Sequence, residues 1–214
     1  MGHYKADNLD RNINWKRLHD WVRYSLKDDK TGHDYEHVKR VLQNALKIAE
    51  KIENVDYDVL VASCFLHDIS FKDGHVIDHH LKAAEEVEDI LIILGFSKEK
   101  VSKIKEAIED HVGHMKKPLR ENFQLQIESK ILRDADNIDA LGSIGLIRMI
   151  SFCFSKGIPY FITKEDKLDE SLYGSVKFLV DWPEKMLTAE GRRIGEKRAD
   201  ILKRFLEQLE KDYS

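Results

Sequence analysis

Cysteine, proline and long apolar runs are all scarce in this chain of 214 residues. The two cysteines, Cys64 and Cys153, lie far apart within apolar segments. They form neither a disulfide framework nor a cysteine-rich zinc site, and read as buried core thiols. Only three prolines occur, Pro118, Pro159 and Pro183, where average usage of ~5% would give about eleven, so helices can run uninterrupted. The longest apolar stretches, Val59 to Leu66 and Ile90 to Phe96, fall short of the ~18 residues a membrane span needs. The opening MGHYKADNLDRN carries no apolar signal core, so a cytoplasmic protein without a membrane partner is expected. A net charge of -4 gives no general attraction to nucleic acid.

What the chain does contain is 42% hydrophobic and 35% charged residues, the balance of a globule whose helices each bury one face. The length suits a single domain over residues 1–214. Ten histidines are present, several beside an acid, as in His19-Asp20, His33-Asp34, His67-Asp68 and Asp110-His111. That pairing is the feature to explain.

Hydrophobic periodicity predicts an all-α fold. A first helix starts at the capping residue Asn14, and a second, from about Asp34, carries His37 on the stripe of Val38, Val41, Leu42 and Ala45. The third, Asp58 to Ile69, is apolar nearly all round and ends in His67-Asp68. A fourth runs from about Asp78 to Leu94, and a fifth, capped by Ser97, brings His111 onto the stripe of Val101, Ile104 and Ile108. A long helical pattern from about Gln124 to Phe154 places Asp136 among inward residues, with Gly142 and Gly145 as points of bending or close packing. Two more helices, about Glu170–Leu187 and Ala189–Lys211, follow, the last with Ile194, Ile201, Leu202, Phe205 and Leu209 inward.

A carboxylate at the end of a buried apolar run needs a cation or several donors around it. A divalent metal meets that need for Asp68, and His37, His67 and Asp136 are inward residues able to complete its shell. Taken singly, His37 is as readily a hydrogen-bonded core histidine, and Asp136, Asp134 and Asp139 are as readily partners of Arg133 or Lys130 on a helix surface.

In order and spacing, His37, His67-Asp68 and Asp136 resemble the H…HD…D signature of the HD-domain superfamily of metal-dependent phosphohydrolases. The strings HDYEHVKRV, FLHDI and ILRDADNIDALGSIG resemble its small bacterial and archaeal hydrolases. The likeness covers about residues 30–150, leaving about 165–212 as a C-terminal helical extension. The resemblance implies a helical bundle, with His37, His67, Asp68 and Asp136 as metal ligands. It also implies a second metal held with His79 and His111, for which His80 and His114 compete. One departure stands out: nucleotidase-type members carry a catalytic carboxylate three residues after the Asp, where this chain has Phe71. Lys72 and Asp73 are the nearest polar candidates.

The implied reaction is hydrolysis of a nucleotide or other small phosphate ester by a metal-activated water. Asp68 both ligates and orients, Asp73 or Lys72 transfers a proton, and Arg148, Lys116, Lys117 and Arg120 hold the phosphate. Two imidazoles and two carboxylates suit Mn, Fe, Co, Ni, Zn or Mg alike. For Arg148 an ion pair on the helix surface is an equal alternative, and for the basic segment HMKKPLRE a solvated loop is. A diiron oxygenase, a non-catalytic nucleotide sensor, and a homodimer through the C-terminal helix stay open.

Overall fold

Each early helix is started by a side chain that satisfies the unpaired amides of its first turn. In the computed structural model, which describes residues 8–29, 32–71, 78–112, 124–161 and 170–213, Asn14 accepts from the amide of Arg17 at the head of α1 (Trp15–Ser25). Asp34 accepts from the amide of His37 at 2.9 Å and so fixes the first turn of α2 (Tyr35–Ala49) around that residue. Asp56 caps α3 (Tyr57–Leu66), whose residues Asp58 to Leu66 are all buried. This helix has no polar face because it is covered on most sides, as its sequence predicts.

The expected fourth helix is interrupted. It forms α4 (His79–Glu86) and α5 (Glu88–Ile93), joined at the buried Val87. Gly95 closes α5 at φ 99°, where a Cβ would also come within 3.0 Å of the Asn12 carbonyl oxygen. Ser97 then caps α6 (Lys98–Asp110). The long pattern from about Gln124 to Phe154 likewise divides, into α7 (Ile127–Asp139) and α8 (Gly142–Ser155). Leu141 is extended and Gly142 has φ 73°, a left-handed conformation that a continuous helix cannot contain. Finally, α9 (Leu172–Val180) runs into a 3-10 turn over Trp182–Lys185, with Pro183 inside it, before α10 (Ala189–Tyr213).

No strand occurs among the described residues, and the fold is all-α. No single described helix is long and apolar enough to cross a membrane. The chain forms two compact units, residues 1–135 and 136–214. In the first, α3 packs against α1, α2 and α6, while α6 also carries α4 and α5. In the second, α10 packs on α8, α9 and the 3-10 turn. Its buried stripe is Gly191, Gly195, Ala199, Leu202 and Leu206. Ile201, expected inward, is 42% exposed instead. The stripe passes through glycines and an alanine, which let neighbours approach closely but give no hydrophobic signal in the sequence.

Candidate metal centre

The apolar run of α3 delivers His67 to the helix end, where carbonyls of the last turn lack helical partners. The His67 Nδ1–H donates to one of these, the Cys64 carbonyl, at 3.0 Å. His111 repeats the arrangement at the end of α6, donating from Nδ1 to the Ile108 carbonyl at 2.6 Å. A carbonyl oxygen only accepts, so Nδ1 carries the proton in both rings. In the neutral imidazoles, Nε2 then presents a lone pair to the interior. Two helix C-termini, each the negative end of a helix dipole, thus meet at one place.

Between these rings lies Asp68, only 3% exposed. Its Oδ2 is 3.4 Å from His37 Nε2 and 3.3 Å from His67 Nε2, and these two nitrogens are 3.3 Å apart. Its Oδ1 is 3.3 Å from His79 Nε2 and 3.6 Å from His111 Nε2, which are again 3.3 Å apart. One carboxylate therefore faces two imidazole pairs, one with each oxygen. Asp68, His79 and His111 form a fully buried group with donor atoms within 4.8 Å of one another.

Lone pairs this close to a carboxylate repel unless a proton or a metal ion lies between them. Burial disfavours the proton, since it draws His111 below its ordinary pKa despite the opposing pull of Asp68. Burial alone would raise Asp68, whereas positive charge at His67 and donors from His111 and His37 hold it well below the usual carboxylate range, a charge that protons on these rings or a metal ion among them would supply. Imidazole and carboxylate donors without thiolate fit a divalent ion, and the donor set does not distinguish Mn, Fe, Co, Ni or Zn. These His and Asp clusters could hold a metal.

The structure thus brings His37, His67, Asp68, His79 and His111 together within the first unit. His80, the competitor of His79, is buried as well, with its ring centroid 6.4 Å from that of His111. Asp136, half-buried, opens the second unit directly after Ala135 on α7. Asp134 and Asp139, read as surface carboxylates, are instead fully buried. Arg148 Nη1 donates to Asp139 Oδ2 at 2.9 Å, so its ion pair is made with an interior carboxylate rather than on the helix surface. Lys72, Asp73, Lys116, Lys117, Arg120 and His114 lie outside the described residues. His19-Asp20, by contrast, sits on α1, with Asp20 exposed and paired to Lys16.

Sequence reasoning passed over two features. Phe71, at the position of the missing carboxylate, is buried between imidazoles: its centroid is 3.9 Å from His33 and 5.1 Å, edge-on, from His79. No sequence signal indicates this wall. Asn44 donates from Nδ2 to the Ala135 carbonyl at 3.2 Å and ties α2 to α7. A polar residue on the apolar stripe, two turns after His37, was its available signal.

Residues 34–141, half of the chain, match the HD domain. The uncharacterized protein YpgQ of Bacillus subtilis is 28% identical over 202 residues, 92% of each chain. A crystal structure of YpgQ in complex with ADP, 29% identical, superposes with a TM-score of 0.73 over 92% of this chain and 93% of that one. A predicted HD superfamily hydrolase from an uncultured Thermotogales bacterium, 23% identical, shares the fold at a TM-score of 0.67, over 99% of this chain and all of that one.

Proposed function

The chain belongs to the HD-domain family, and on that premise we propose that it is a metal-dependent phosphohydrolase acting on a nucleotide or related phosphate ester. The observation that carries this reading is the pair of imidazole groups facing the two oxygens of Asp68. His37, His67 and Asp68 would hold one divalent ion, and Asp68, His79 and His111 a second. Asp136 is proposed as the further carboxylate of the first group, carried by α7 directly beyond the Ala135 carbonyl that Asn44 holds. The bound ions would supply Lewis-acid activation of water and neutralisation of phosphate oxygens.

The protein's own groups divide the remaining work. The Cys64 and Ile108 carbonyls fix the tautomers of His67 and His111, which makes Nε2 the nitrogen that would ligate. Asp68 spans both groups and stays ionised. Phe71 excludes water from the side between His33 and His79. It cannot transfer a proton, so that role is proposed for Asp73 or Lys72. Lys116, Lys117 and Arg120 are proposed to hold the phosphate, because Arg148 is already engaged by Asp139. The nucleotide class is supported by the ADP in the Bacillus subtilis YpgQ crystal structure.

The test is phosphate or pyrophosphate release from a nucleotide panel with Mn, Mg, Co and Ni. Metal-dependent release that Asp68→Ala abolishes is expected. No release from any nucleotide with any metal rejects the reading. The presence of both His79 and His111 at Asp68 also favours a second reading, a diiron oxygenase, which iron-loaded protein would reveal by oxygen uptake without phosphate release.

A further inference from the structure

Most residues on α8 are apolar, yet much of the helix is uncovered. Ile144 is 43% exposed, Ile147 61% and Phe154 80%, and Ser151 between them is exposed too. Their spacing of three, four and three residues places them in one stripe, the seam pattern by which one helix packs along another. This pattern reads the same in either direction about Met149. A two-fold axis there would set Ile144 against Phe154 of a second copy and Ile147 against Ser151, so each large side chain on one flank meets its complement on the other.

Charge and area favour the same occupant. The only charged side chain on α8 is Arg148, and it is held by Asp139, so two copies of the face meet without like-charge repulsion. Arg148 within α8 and Lys156 just past its end are the only cations along it, short of the cationic border through which such helices bind a lipid surface. At ~200 Å² for a fully exposed large side chain, Ile144, Ile147 and Phe154 present roughly 350 Å². That is the size of a functional patch on a monomer and nearly half of the ~800 Å² each partner buries in a standard interface. Phe152, 49% exposed on the flank, extends it.

We propose that this face of α8 is the contact through which two copies of the chain pair about a two-fold axis, with a dissociation constant in the micromolar range. The test is sedimentation velocity on the intact protein from about 1 to 100 µM. The parent should shift from a 25.0 kDa species towards twice that mass. Ile147→Glu and, separately, Phe154→Glu should stay monomeric throughout, a weakening of about 100-fold or more. Both positions are exposed, so unchanged melting and circular dichroism are expected, and if one variant misfolds the other decides. A parent that is monomeric at every concentration overturns the proposal, whether or not it co-sediments with phosphatidylglycerol vesicles. A dimer that both variants retain overturns it equally.

Discussion

Arg148 Nη1 lies 2.9 Å from Oδ2 of Asp139, a carboxylate with no exposed surface. The arginine is itself largely covered, and its guanidinium pairs with that buried charge. Removing one member of a buried pair takes a compensating charge from the other, which costs about 3–5 kcal/mol in an enclosed site and less where water or further partners reach it. Arg148→Ala should therefore destabilise the protein by about 2–3 kcal/mol, a fall in melting temperature of roughly 5–10 °C. Thermal unfolding with metal present checks this, and a loss under ~0.5 kcal/mol would return Arg148 to the surface role.

Phe71 stands between His33 and His79 without offering a ligand atom. Phe71→Ala should cost about 3 kcal/mol through the cavity it leaves, yet keep metal bound at saturating concentration. Denaturant unfolding and metal analysis of the same preparation separate the effects. Complete loss of metal from a folded Phe71→Ala protein would contradict the assignment of this residue as a wall.

The pH dependence of the metal-free protein follows from His111. Burial lowers its folded pKa below the ordinary 6.5, so on acidification the unfolded state takes up a proton before the folded state does. Stability then falls as pH drops through that window and recovers as pH rises. Asp68 acts at much lower pH, because its folded pKa lies well below 3.8 and its contribution is lost only as pH falls through that value. The melting temperature should thus fall between pH 7.5 and 5.5, and His111→Gln should fall measurably less. An equal fall in both proteins would show that His111 does not carry the effect.

Much of the centre was legible because its residues continue apolar stripes or end an apolar run. His37 follows the period of Val38 and Val41, His111 that of Ile104 and Ile108, and His67-Asp68 closes the buried segment of α3. The facing of each Asp68 oxygen depends on how α2, α3, α4 and α6 pack, a tertiary relation that no local period encodes. Gly142 was legible as a point of bending, but the helical pattern on both sides concealed a full break, in which Leu141 is extended and Gly142 has φ 73°. Asp139 looked like a surface acid because its partner, nine residues on, lies across that same break.

The central claim is that Asp68 joins two metal positions, and metal stoichiometry tests it most directly. Parent protein, His111→Ala and Asp68→Ala would each be saturated with Mn, freed of excess and analysed for metal per folded chain, with His19→Ala as a control. The account predicts about two ions in the parent and the control, about one in His111→Ala and none in Asp68→Ala. An Asp68→Ala protein that keeps the parent's metal content would contradict it.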